Sequence, residues 1–170
     1  MGVYHMDKIG IKEESYFKNY ETKLGKIQII QEGEYIVGVY FLSNNTNKEK
    51  GKKEKETDLI KETYQQILEY LEGNRKEFTI PILLKGTTFR KKVWEALQTI
   101  PYGETRTYGE IAKQIGKEKA SRAVGMANHD NPISILVPCH RVIGKNGKLV
   151  GYAGGLDNKA FLLQLEKERK

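Results

Sequence analysis

The sequence predicts an α+β fold in two parts: a small antiparallel sheet covered by one helix, then a mainly helical half with a helix-turn-helix, which carries a Cys-His pair. Three observations predict it. Segments rich in β-branched and aromatic residues fill the stretch before residue 42, a helical apolar period takes over at residues 59–71, and beyond Gly86 short amphipathic helices alternate with Gly and Pro stops. A chain of 170 residues with 38% apolar content can bury a core, as one ordinary domain or two small ones sharing an interface. We place the boundary near Gly86, giving residues 1–86 and 87–170.

In the first part, GKIQIIQ and EYIVGVYFL flank a turn at Glu32 and Gly33 and read as a hairpin, with SYFKNYET as a third strand. Residues 43–56 read as a solvated polar loop, because NKEKGKKEKE interleaves glutamates with lysines. Leu59, Ile60, Tyr64, Ile67, Leu68 and Leu71 then recur at helical spacing until Gly73 supplies a stop, so this helix covers one face of the sheet. The extended stretch FTIPILL leads to the boundary.

In the second part, Phe89, Val93, Trp94 and Leu97 mark a helix that ends before Pro101-Tyr102-Gly103. Thr107 to Glu110 reads T-x-x-E, a capping box that starts the helix YGEIAKQI, which stops at Gly116. KASRAVGMANH follows after a tight turn, and the pair has the length and spacing of a helix-turn-helix. Ala120, Ser121, Ala123, Gly125 and Ala127 are small, which lets the backbone approach another surface, and Arg122 is the one long cationic side chain among them. A tightly packed internal helix with Arg122 at its edge has the same composition. An apolar stretch, NPISILV, leads into Pro138-Cys139-His140-Arg141 and a turn-rich loop around Gly144 and Gly147. The final helix has Asp157 as candidate N-cap and an apolar stripe of Phe161, Leu162 and Leu165; Glu166 falls on or beside that buried face.

Composition narrows the function classes. No run of apolar residues is long enough to span a bilayer, and MGVYHMDKIG lacks the apolar core of a secretory signal, so a soluble cytoplasmic protein is expected. A single cysteine forms no internal disulfide, and His5, His129 and His140 show no metal-ligand spacing, so no metal is expected. A net charge of +7 and a pI near 9.3 point to a polyanionic partner, although solubility alone also explains them.

An isolated cysteine is usually a small core hydrophobe. Against that reading stand Pro138, which fixes the local chain, His140, a possible base, and Arg141, whose positive charge favours thiolate. Neighbouring side chains on an extended strand point to opposite faces, so His140 reaches the sulfur through a bend or a bridging water. A carboxylate on the other imidazole nitrogen would fix the tautomer, and Glu166 is the candidate with unexplained placement.

The PCHRV segment preceded by Asn131-Pro132, FRKKVWEALQTIPYGETRTYGEIA, the SRAVG helix and GYAGGL resemble, in order and spacing, the O6-alkylguanine-DNA alkyltransferases, the methylated-DNA–protein-cysteine methyltransferase family. The match runs from about Thr88 to Glu166, while the N-terminal half is similar only in texture. The resemblance implies a ribonuclease H-like N-terminal part, a winged helix-turn-helix-like C-terminal domain, and a monomeric, self-inactivating repair protein that needs no cofactor. Such a protein binds double-stranded DNA from the minor groove, flips the alkylated guanine out and moves its alkyl group onto Cys139. It further implies that His140 deprotonates Cys139 through a water, that Glu166 holds His140, and that Asn131 ties the active-site turn. Tyr108 stabilises the leaving guanine at N3, and Arg122 fills the space of the flipped base on a helix whose Ala120, Ser121, Ala123 and Gly125 lie against DNA. The backbones of Val142 and Ala153 contact the guanine, and Tyr152 walls the alkyl pocket; some members carry serine where this chain has Ala153. Three other readings compete: a lesion sensor without transferase activity, which the acceptor cysteine argues against; a turning-over cysteine hydrolase, which leaves the helix-turn-helix unexplained; and a helix-turn-helix regulator, which leaves Glu166 and PCHRV without purpose.

Overall fold

The computed structural model describes residues 13–42 and 48–170. His5, the N-terminal stretch read for a leader, and residues 43–47 of the polar loop lie outside the described residues. Strands β1 (Ser15–Thr22), β2 (Gly25–Glu32) and β3 (Tyr35–Phe41) form an antiparallel meander in register Phe17↔Ile30 and Ile29↔Val39. The second turn is closed by Gly33 at φ +59°, a conformation glycine adopts without steric cost. A two-residue strand β4 (Lys53–Glu54) pairs in parallel with β1, giving the order β3-β2-β1-β4. Part of the expected polar loop is therefore sheet: the edge of β1 offers unpaired backbone groups, and Lys55 N–H donates to Phe17 O at 3.0 Å while Lys18 pairs with Glu54 at 3.2 Å.

The opposite edge, β3, is covered from two places. Ile36 N–H donates to Pro81 O at 2.9 Å, and Val39 N–H donates to Pro132 O at 2.9 Å. The FTIPILL stretch is thus extended chain laid on β3 with a single parallel bridge, Ile36↔Ile82, and the segment before Cys139 occupies the rest of the same edge through Val39↔Ile133.

Helix α1 (Asp58–Leu71) starts at Thr57, whose side chain caps Ile60 N–H, packs on the sheet, and buries Ile60, Thr63, Gln66, Ile67, Tyr70 and Leu71. Leu59, Tyr64 and Leu68 of the expected stripe are only half-buried. Helix α2 (Thr88–Leu97) buries Val93, Trp94 and Leu97. Helices α3 (Tyr108–Gln114) and α4 (Ser121–His129) form the helix-turn-helix, and the Trp94 indole N–H donates to Ala127 O at 2.8 Å, fixing α2 to α4. Both arms of the Thr107/Glu110 capping box are made. Helix α4 begins two residues later than KASRAVGMANH suggests, because Lys117–Ala120 form a turn, with Ala120 N–H bonded to Lys117 O.

Strands β5 (Arg106–Thr107) and β6 (Val142–Ile143) pair in parallel, which brings the start of α3 beside the Cys-His segment. Helix α5 (Leu156–Arg169) closes the fold. Its N-cap is Gly155 at φ +93°, not Asp157; the carboxylate of Asp157 sits inside the first turn, where it complements the helix dipole. The buried apolar residues of both halves, from Ile29 and Ile60 to Trp94, Val124, Val137 and Leu162, belong to one continuous cluster.

Candidate active site

Cys139, His140 and Arg141 form one turn of 3-10 helix, and each is buried. The extended backbone expected around the cysteine is absent: Cys139 N–H donates to Val137 O at 2.8 Å and Arg141 N–H to Pro138 O at 3.0 Å, so the chain coils directly after Pro138. Asn131 holds the preceding bend. Its side-chain amide donates to Val137 O at 2.9 Å and Ile133 O at 3.4 Å, while its oxygen accepts from Ile133 N–H at 3.0 Å. Asn128, which the sequence reading passed over, donates to Cys139 O at 3.2 Å from the buried side of α4.

Glu166, 1% exposed, is the hub of the buried polar network. Its Oε2 accepts from His140 Nε2 at 2.8 Å, Arg141 Nη2 at 2.9 Å and the Tyr70 hydroxyl at 2.5 Å; Oε1 accepts from Arg141 Nε at 2.8 Å and Gly103 N–H at 3.1 Å. Burial alone would raise the carboxyl pKa, but the hydrogen bonds and charges of His140 and Arg141 outweigh it and hold the group well below the usual carboxylate range. Because Nε2 faces Glu166, the neutral imidazole carries its proton there and leaves Nδ1 as the acceptor, an assignment made from the hydrogen-bond geometry. Nδ1 is buried with no hydrogen-bond partner among the described residues. Burial lowers the His140 pKa below its ordinary value, against the opposing pull of Glu166.

Arg141 does not supply the cysteine with free positive charge, as the sequence suggested. Its guanidinium is engaged as a fork on Glu166 and by Ile100 O at 2.7 Å. Burial pushes the Cys139 thiol up to about 11, against smaller opposing effects of an Asn131 hydrogen bond and the charge of Lys159. Lys159 is fully buried, one turn before Leu162 on the inner stripe of α5, and donates to the carbonyls of Val142 at 2.6 Å, Val150 at 2.9 Å and Gly151 at 3.3 Å. Burial lowers its pKa to about 8.

The sequence reading missed Lys159 and Tyr70. Each had a signal: Lys159 precedes Leu162 by three residues and Glu166 by seven, and Tyr70 follows Ile67 by three, so both lie on stripes whose other members were recognised.

The remaining candidates surround this centre. Tyr152 is buried with its ring edge-on to His140, centroids 6.5 Å apart, and to Phe41 at 5.8 Å. Gly154 lies against the Phe41 and Tyr152 rings, where an added Cβ would approach to 2.8–2.9 Å. Tyr108 is half-buried at the start of α3 and donates to Val150 O at 3.2 Å. Beside it opens a surface cleft of ≈ 430 Å³ lined by Tyr108, Ser121, Arg122, Gly125, Met126 and Val150, among others. Arg122, Ala123 and Met126 are exposed on α4, Ala120 precedes it half-buried, and Ala153 is exposed on the loop before α5. A Cβ on Gly125 would meet only the Tyr108 ring, at an ordinary 3.8 Å, so internal packing does not require the small residue there. Among the described residues no group of three or more His, Cys, Asp or Glu side chains could hold a metal ion, and no helix is long and apolar enough to cross a membrane.

Fold and site define a two-part α+β protein whose buried Cys-His-Glu centre is framed by a helix-turn-helix. Residues 15–84 match the ribonuclease-like domain of 6-O-methylguanine DNA methyltransferase, and residues 88–168 match the DNA binding domain of the same enzyme. The methylated-DNA–protein-cysteine methyltransferase of Methanosarcina acetivorans is 50% identical over 89% of this chain and 97% of its own length. The constitutive enzyme of that name from Bacillus subtilis is 45% identical over 90% of this chain and 96% of its own. Among solved structures, the Mycobacterium tuberculosis O6-methylguanine methyltransferase aligns with TM-score 0.85 and 41% identity over 92% of this chain and 94% of that one. Mycobacterium tuberculosis OGT in complex with DNA aligns at 0.84 and 42% over 91% and 94%. The chain belongs to the methylated-DNA–protein-cysteine methyltransferase family.

Proposed function

We propose that this protein reverses alkylation damage directly, moving the alkyl group of O6-alkylguanine in double-stranded DNA onto Cys139 once and irreversibly. The observation that carries the reading is the Glu166–His140 pair, which presents an imidazole nitrogen with no hydrogen-bond partner among the described residues, in the buried turn that also holds the cysteine. A thiol pushed up to about 11 is not a preformed thiolate at neutral pH, so deprotonation accompanies attack. The proton leaves Sγ for His140 Nδ1 through a water. The sulfur then bonds to the alkyl carbon as the bond from that carbon to O6 breaks, and the electron pair leaves with the guanine. Glu166 stabilises the imidazolium so formed.

Tyr108 donates to the guanine at N3 in this scheme, exchanging its bond to Val150 O for one to the leaving base. The Val142 carbonyl and the Ala153 amide recognise the exocyclic amine and O6, and Tyr152 walls the alkyl group. Helix α4 enters the minor groove, and its small outer residues Ser121, Ala123 and Gly125, with Ala120 before them, let the backbone approach the DNA. Arg122 takes the place of the flipped base, whose extrusion costs a few kcal/mol. The protein works as a monomer in two domains, residues 1–86 and 87–170, and needs no cofactor, because the sulfur is both nucleophile and final acceptor.

The test follows a labelled methyl group from O6-methylguanine in a duplex oligonucleotide. Label appears on the peptide containing Cys139 and never in Cys139→Ala. Label that stays on DNA, or leaves as a small molecule, refutes the proposal.

A further inference from the structure

We propose that Tyr70, supplied by α1 of the N-terminal half, is a positioning residue of the His140–Glu166 relay and sets how tightly His140 holds its proton. The inference deepens the alkyl-transfer reading and rests on it for its kinetic arm only. Tyr70 is fully buried, and its hydroxyl donates to Glu166 Oε2 at 2.5 Å while lying 3.2 Å from His140 Nε2. Its ring is packed against Phe78, with centroids 5.4 Å apart, and meets Tyr102 edge-on at 6.2 Å, so the hydroxyl is held in place from both sides. Burial and the Glu166 charge raise the phenol pKa well above 10, which keeps the proton on the phenol and makes Tyr70 a permanent donor to the carboxylate.

The chemistry follows from how one oxygen is shared. Glu166 Oε2 carries three donors, and the phenol competes with the imidazole for the same negative charge. Without the hydroxyl, more of that charge falls on His140, whose protonated form is stabilised. The other groups facing His140 do not compensate: Arg141 stays forked on Glu166, Lys159 stays on its three carbonyls, and Cys139 and Tyr152 are neutral at the pH concerned. The N-terminal half therefore takes part in the proton relay and is more than a scaffold for the cysteine.

The experiment compares wild type with Tyr70→Phe, which keeps the ring, in three readouts: imidazole nitrogen NMR of His140 across pH without DNA, the pH profile of Cys139 reaction with a small aromatic disulfide, and methyl transfer from duplex O6-methylguanine. Tyr70→Phe should raise the His140 midpoint by about one unit, a tenfold change in proton affinity. It should move the acid limb of Cys139 reactivity upward by the same amount and slow methyl transfer about tenfold on that limb, with little change near neutrality, where His140 is mostly neutral in both proteins. In a Glu166→Gln background Tyr70→Phe should add less than about a twofold effect, because it acts through that carboxylate. Phe78→Leu, which loosens the ring but keeps the hydroxyl, should shift the His140 midpoint much less. An unchanged His140 midpoint in Tyr70→Phe, an equal shift in Phe78→Leu, or multiplicative losses with Glu166→Gln would each overturn the inference. Should wild type transfer no methyl group, the functional reading fails while the NMR titration still decides the role of Tyr70.

Discussion

Replacing Glu166 with glutamine changes one oxygen to NH2 and tests the centre sharply, because five donors converge on the carboxylate. If the NH2 takes the Oε1 place it faces Gly103 N–H and Arg141 Nε–H, neither of which can accept a hydrogen bond. If it takes the Oε2 place it faces Arg141 Nη2, Tyr70 and His140, and the last two can turn into acceptors: the phenol rotates, and the imidazole moves its proton from Nε2 to Nδ1. The second placement costs less, and it puts a proton on the nitrogen that accepts one from Cys139 in the proposed mechanism. Methyl transfer should fall by about 10²–10⁴, the usual worth of a general base. Arg141 meanwhile keeps its charge in a buried site without its partner, at a cost of about 3–5 kcal/mol. For a chain of this length that lowers the melting temperature by roughly 6–20 °C. Single-turnover transfer of labelled methyl and thermal unfolding followed by fluorescence measure the two effects. A Glu166→Gln protein that transfers within a factor of two of wild type, or melts within about 2 °C of it, would refute the reasoning.

Three further outcomes are expected. Arg122→Ala should slow repair of duplex lesions far more than reaction with the free alkylated base if the exposed arginine takes its proposed place in the DNA; equal losses on both substrates reject that role. Asn131→Ala removes three hydrogen bonds that hold the bend before Cys139 and should cost about 2–3 kcal/mol in denaturant unfolding, whereas a loss under about 0.5 kcal/mol would show that the bend holds without them. Stability should fall with acidification in two stages. His140, whose folded pKa is lowered, disfavours folding once the unfolded chain protonates its histidine below about 6.5. Glu166, also lowered, contributes stability that is present above its unfolded value near 4.5 and is lost as the pH drops through its folded pKa. A chemical-denaturation series in which stability is flat from pH 7 to about pH 5 would contradict the His140 assignment, and one that is flat below about pH 4.5 would contradict the Glu166 assignment.

Periodicity made the three strands, the helix that became α1 and the capped helix pair legible in the sequence, because each rests on local alternation, helical stripes or the T-x-x-E box. What escaped depends on partners distant in sequence. β4 forms only because the edge of β1 is open, and Gly155 replaces Asp157 as the cap because the chain enters α5 at positive φ. Glu166 stood out as a carboxylate on an apolar face. Lys159 did not, although it lies on the same stripe, because its partners are three carbonyls that no sequence pattern announces. Tyr70 escaped because only the approach of α5 to α1 gives its hydroxyl a carboxylate. The reading of Arg141 as a source of positive potential for the thiol failed for the same reason, since the charge is taken up by Glu166.

The central claim is that the reactivity of Cys139 is used once. Presenting the protein with a large molar excess of duplex containing O6-methylguanine and counting repaired guanines per protein tests it most directly. The account predicts a single burst that stops at or below one repaired base per chain, with every transferred methyl group on Cys139. Repair that continues past one base per chain, or a burst that survives in Cys139→Ala, would contradict it.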